Sequence, residues 1–217
     1  MNKNEALTKT ETYVRQKLEG EGSGHDWWHI HRVRNTALKL AEKEQADLFI
    51  VELAALLHDI ADHKFHEGDE KIGPATARKW LEHLDVREPV IKHVCDIIGD
   101  VSFKGAEVET PMKTVEGKVV QDADRLDALG AIGIARAFAY GGYKERELYN
   151  PEVSPEPHHS FEEYKSSIGP TLNHFYEKLF LLKDRMNTDT GRRLAEKRHH
   201  FMKEYVNRFL AEWKGND

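Results

Sequence analysis

The stretch ELAALLHDIADHKF, Glu52 to Phe65, begins as an apolar helix and ends in a cluster of histidines and acids. Its turning point is the dipeptide His58-Asp59. An imidazole beside a carboxylate is either a polar helix end or half of a metal site. The residues before it are apolar almost throughout, so the end of this helix is expected to lie deep. A buried carboxylate without a partner costs several kcal/mol and tends to protonate. A divalent cation removes that cost for both groups. Neighbours in sequence do not share a helix face, so further ligands must come from other helices.

Two other segments offer them. In the helix predicted around HIHRV, the residues Ile30, Val33, Ala37, Leu40 and Ala41 form one apolar stripe. His29 falls at the edge of that stripe and can look inward, whereas His31 points toward solvent. Taken alone, His29 reads equally as a buried histidine bonded to a carbonyl. In VVQDADRLDALGAIGIARAF, from Val119, the acids Asp122, Asp124 and Asp127 stand among small and apolar residues. Three acids in a buried helix need cations nearby. Salt bridges, with Arg125 as one partner, are the plain alternative, and helical phase does not choose which acid faces a metal.

The elements that position these residues read as helices. Leu7, Val14 and Leu18 mark a first helix ending at GEGSG. Asp47 caps a central, nearly all-apolar helix, Leu48 to Leu57. Pro74 and Pro89 sit at helix starts, and His93 reads as an ordinary surface histidine. Residues 99–113 read as loop, and Thr114 to Tyr140 as one long helix stopped by Gly141-Gly142. Asn150 to Ser160, with three prolines, is a second loop. The last helix carries an amphipathic stripe from Phe201 to Trp213 and packs either in cis or against a second copy, as a homodimer. One all-α domain over 1–217 is the economical expectation, with a core signature at 25–140 and C-terminal helices at 160–213 packed on it.

Composition narrows the functional classes. The 217 residues carry a net charge of −6, which argues against a nucleic-acid grip. One cysteine, Cys95, excludes an intramolecular disulfide. No apolar run approaches the ~20 residues of a membrane span, and the N-terminus lacks an apolar signal core. The expectation is a cytoplasmic protein with no membrane or stable nucleic-acid partner. Thirteen histidines stand out, because imidazole is the usual base and metal ligand near neutral pH.

His29, then His58-Asp59, then Asp124 within D-A-D-R-L-D resembles the H…HD…D signature of the HD-domain metal-dependent phosphohydrolases. The strings GHDWWHIHRV, HDIADHKF, VSFKG, VVQDADRLDALGAIGIARAFAYGG and NHFYEKLFLLKDRMNT resemble the bacterial YedJ/YpgQ-like branch, over roughly residues 20 to 213. The resemblance implies an HD-type helical domain with His29, His58, Asp59 and Asp124 as ligands of one metal. It also implies hydrolysis of a phosphoanhydride or phosphoester, in particular release of pyrophosphate from nucleoside or deoxynucleoside triphosphates. Two imidazoles and two carboxylates suit Mn²⁺, Fe²⁺, Zn²⁺, Mg²⁺, Co²⁺ or Ni²⁺, with family behaviour favouring Mn²⁺.

Further roles come from position. Asp62 is a candidate base for the attacking water. Lys64 and Arg125 flank the ligand segments and could hold phosphate oxygens. His25 opens the second helix beside Asp26, whose plain reading is an N-cap. Lys178, with His174 and Lys183, lines a late helix within conceivable reach of a triphosphate tail. His158 and His159 could belong to a lid. Three rival readings are kept. One is a nucleotidase or phosphodiesterase of the same chemistry. Another is a zincin built on HDWWH, which has Asp where that motif has Glu and shows no third ligand. The last is a non-catalytic, nucleotide-binding helical module; a His/Asp ligand set with one cysteine argues against a closed structural metal.

Overall fold

The computed structural model describes residues 2–20, 26–61, 71–102, 108–156 and 169–216. Among them the fold is all-α: nine α-helices and one 3-10 helix. Its contacts gather into two compact units. The first holds Met1–Ser102 with Thr110–Asp124, and the second Phe103–Glu109 with Arg125–Asp217. None of the helices among the described residues is long and apolar enough to cross a membrane.

The first unit contains α1 (Lys3–Leu18), α2 (Trp27–Glu44), α3 (Leu48–Leu57), α4 (Ile72–His83), α5 (Glu88–Asp100) and most of α6 (Val115–Asp127). Helix α3 is its centre and packs on α1, α2 and α5. Val51, Leu53, Ala54, Ala55, Leu56 and Leu57 are all buried, as the all-round apolar pattern requires. Each leucine so buried contributes about 2 kcal/mol. Helix α2 lays Ile30, Val33, Ala37, Leu40 and Ala41 into the same core. On its other side Arg34 bonds Glu52 of α3 and lies 3.0 Å from Glu11 of α1, fastening three helices.

The second unit contains α7 (Gly130–Tyr143), α8 (Asn173–Glu177), a 3-10 helix (Leu179–Arg185) and α9 (Asp189–Trp213). Phe138 of α7 stands among Phe175, Tyr205 and Phe209, with ring centroids 5.9–6.1 Å away. Met202 and Val206 of the α9 stripe are buried, while Phe201 and Trp213 are about half exposed.

Two expectations about the middle of the chain are corrected. Thr114 to Tyr140 is two helices, not one. The chain leaves helical geometry at Leu129, which is extended, and at Gly130, which takes φ +76°. Periodicity misses this break because Leu126, Leu129 and Ile134 are buried on both sides of it. Gly141-Gly142 does not stop the second helix either; α7 continues to Tyr143. Gly141 serves close approach instead: a Cβ there would sit 2.0 Å from Thr171 Oγ1.

The turn between α6 and α7 imposes a further demand. A Cβ on Gly133 would lie 2.2 Å from the backbone carbonyl oxygen of Ala128. Backbone cannot yield as a side-chain tip can, so Gly133→Ala should destabilise the fold by about 2–3 kcal/mol. Urea unfolding would show this as a lowered midpoint, whereas an unchanged midpoint would mean the turn is loose.

Candidate metal centre

Three helices deliver the site, each from a different point along its length. Helix α2 brings His29 in its first turn. Asp26 is the N-cap, and its Oδ1 accepts the His29 backbone N–H at 2.8 Å, so the residue read as an N-cap holds the turn that carries the histidine. The His29 side chain is 1% exposed. Helix α3 brings His58 at its C-terminal boundary and Asp59 directly after it. His58 Nδ1 lies 2.9 Å from the carbonyl of Ala55. A carbonyl only accepts, so Nδ1 carries the proton and the Nε2 lone pair of the neutral ring points the other way. Helix α6 brings Asp124 in its last turn.

The donor atoms converge. His29 Nε2 and His58 Nε2 are 3.2 Å apart. Asp59 Oδ2 is 3.4 Å from the first and 3.6 Å from the second. Asp124 Oδ1 is 3.5 Å and 3.8 Å from the same two nitrogens. Donors bound to one ion at about 2.0–2.2 Å stand about 3–3.5 Å apart; three of the five separations fall in that range, and the two from His58 to the carboxylates are slightly longer, at 3.6 and 3.8 Å. Asp59 is 13% exposed and Asp124 29%, so the corner is deep but reachable from one side. The His29, His58 and Asp59 cluster could hold a divalent metal, and Asp124 faces the same two nitrogens.

The other acids of α6 do different work. Asp127 is buried against Arg136, with Nη1 donating at 2.8 Å, and Asp122 is buried completely. Arg125 is buried and donates Nη1 to the carbonyl of Arg185 within the second unit. Lys178 also lies in the second unit, half-buried at the C-cap of α8, near half-buried His174. Lys183 pairs with Asp184 at 2.6 Å. His25, Asp62, Lys64, His158 and His159 fall outside the described residues.

One supporting residue, Gln121, carries no motif, and one, His93, departs from its expected place. Gln121, fully buried, reaches the carbonyls of Asp100 at 3.2 Å and Thr110 at 3.1 Å, fixing α6 three residues before Asp124. A polar amide inside an apolar run was the available signal. His93, expected at the surface, is only 23% exposed and lies 2.9 Å from Thr114 Oγ1 and 3.6 Å from Glu116 Oε2. The periodicity of α5 cannot show that the start of α6 covers it.

Comparison with known proteins shows the family. The HD domain model matches residues 27–129, which include all four converging side chains. The YpgQ protein of Bacillus subtilis is 42% identical over 208 residues, covering 95% of this chain and 93% of its own. An HD-superfamily hydrolase of Bacillus thuringiensis is 46% identical with a TM-score of 0.76, covering 98% of this chain and 99% of its own. This chain belongs to the HD-domain family. A Lactobacillus plantarum protein of known structure is also similar, at 40% identity and a TM-score of 0.85 over the full length of both chains. As an HD-domain protein the chain is a metal-dependent phosphohydrolase.

The convergence has a thermodynamic consequence. A ligand that binds only the folded state stabilises it by about 2.7 kcal/mol at a hundred times its dissociation constant. Addition of Mn²⁺ or Co²⁺ should therefore raise Tm, and His58→Ala should abolish the rise. A His58→Ala protein with the full metal-dependent shift would exclude His58 from the site.

Proposed function

We propose that the protein is a nucleoside triphosphate pyrophosphohydrolase, acting on deoxynucleotides among others and releasing pyrophosphate. His29, His58, Asp59 and Asp124 are the ligands of its metal, with Mn²⁺ the favoured ion. The observation that carries the reading is that carboxylate oxygens of Asp59 and Asp124 each lie 3.4–3.8 Å from two imidazole nitrogens that are themselves 3.2 Å apart. On a six-coordinate ion such as Mn²⁺ this set leaves two positions, for water and a phosphate oxygen. When bound, the ion supplies Lewis-acid neutralisation of phosphate charge and lowers the pKa of a water molecule.

The remaining steps belong to the chain. His58 is held as the correct tautomer by the Ala55 carbonyl, and His29 is held by the cap at Asp26. Asp62 is the proposed proton acceptor. His25, Lys64, Arg125 and Lys178 are the proposed contacts to the nucleotide. A crystal structure of YpgQ, 38% identical to this chain, is a complex with ADP. That supports a nucleotide as the ligand class here. The protein is read as cytoplasmic, with small-molecule nucleotides rather than nucleic acids or membranes as its partners.

The test is a product analysis. Purified protein with Mn²⁺ and a panel of nucleoside triphosphates should yield pyrophosphate and the nucleoside monophosphate. Asp59→Ala should lower the rate at least about 100-fold. Orthophosphate released from monophosphates would replace this reading by a nucleotidase. Binding without turnover in Mn²⁺ would leave only a nucleotide-binding module.

A further inference from the structure

A second cluster of side chains lies well away from the metal ligands, where the first turns of α3 and α6 meet. Glu116 is 13% exposed, and its two carboxylate oxygens are divided between two helices. Oε1 accepts the backbone N–H of Asp47, the N-cap of α3, at 3.0 Å. Oε2 lies 3.6 Å from His93 Nε2 of α5. The same nitrogen is 2.9 Å from Thr114 Oγ1, which in turn accepts the Gly117 N–H at 3.2 Å and caps α6.

This bond fills a gap in α3. The Asp47 carboxylate satisfies the N–H groups of Phe49 and Ile50, but the N–H of an N-cap residue has no intrahelical acceptor. A capping box would supply Glu or Gln three residues later; here that residue is Ile50, which is apolar. Glu116 does from α6 what α3 cannot do for itself.

From this junction both helices run toward the metal centre. His58 lies eleven residues after Asp47 and Asp124 eight after Glu116, about 16 Å and 12 Å of helix at ~1.5 Å per residue. At the far end His58 Nε2 and Asp124 Oδ1 are 3.8 Å apart. Gln121 fastens α6 to the segments around Asp100 and Thr110, whereas Glu116 fastens it to α3. We propose that Glu116 is a positioning residue for the metal centre, setting the axial register of α6 against α3 and so the placement of Asp124 against His58. The proposal rests on the metal reading of those residues. Metal ligands tolerate displacements of only about 0.2 Å, far less than the ~1.5 Å step of one helical residue.

The test measures Mn²⁺ affinity of the full chain by titration calorimetry, with melting curves recorded without metal. Glu116→Ala and Glu116→Asp should weaken Mn²⁺ binding roughly tenfold or more, the second because its carboxylate no longer reaches Asp47. Glu116→Gln keeps an oxygen acceptor at full reach and should bind Mn²⁺ within about twofold of the parent, as register rather than charge is what matters. Val14→Ala, a core truncation in α1, should lower Tm while leaving Mn²⁺ affinity unchanged. Parent-like affinity in Glu116→Ala or Glu116→Asp, or equal losses in Val14→Ala, would overturn the proposal. His58→Ala separates the two claims. Parent-like Mn²⁺ binding there would remove the metal reading itself; loss there with none in the Glu116 variants would remove only the clamp.

Discussion

The structure depends on one electrostatic constraint. Two buried imidazole nitrogens lie 3.2 Å apart, and one carboxylate oxygen each from Asp59 and Asp124 lies 3.4–3.8 Å from both of them. Carboxylate oxygens facing imidazole lone pairs gain nothing from each other, whereas a cation between them would be attracted by all of them. With one, His29, His58 and Asp59 could all serve as ligands, and Asp124 is the fourth ligand proposed above. The helices favour the cation further. His58 and Asp59 stand at the C-terminal end of α3, and Asp124 in the last turn of α6. Helix C-termini carry partial negative charge, worth about 0.3–1 kcal/mol each toward a nearby cation.

Holding that corner together requires rigid elements whose ends are individually closed. The start of α2 is closed by Asp26 and the start of α3 by Asp47 with Glu116. The end of α6 is closed in the second unit, where Arg198 donates Nη1 to the carbonyl of Leu126. Burial lowers the pKa of that guanidinium and Asp127 works against the shift; an arginine remains charged regardless. Gly130 lets this happen. It takes a left-handed φ, and a Cβ there would approach Arg198 Cγ to 3.1 Å. The departure from helix at Leu129 and Gly130 therefore coincides with the cap that ends α6 just past Asp124.

Much of this was legible in the chain. The all-apolar run from Leu48 to Leu57 announced a central helix, and its sudden change at His58-Asp59 announced a buried polar site. The stripe of α2 placed His29 at an inward edge. Local pattern could not choose among Asp122, Asp124 and Asp127, because all three lie in one short helix and the choice depends on where α2 and α3 cross it. The resemblance supplied that choice; in the fold Asp124 Oδ1 lies 3.5 and 3.8 Å from the two imidazole nitrogens. The turn at Leu129–Gly130 and the burial of His93 were hidden for a related reason. Both are set by partners distant in sequence, Arg198 in one case and the start of α6 in the other. Gly141-Gly142 misled because glycine serves close packing as well as termination.

The most direct measurement is anomalous diffraction from crystals grown with Mn²⁺. The account predicts one strong peak about 2.0–2.2 Å from His29 Nε2, His58 Nε2 and a carboxylate oxygen of each of Asp59 and Asp124. A peak elsewhere, or Asp124 turned away from a metal held by the other three, would contradict it.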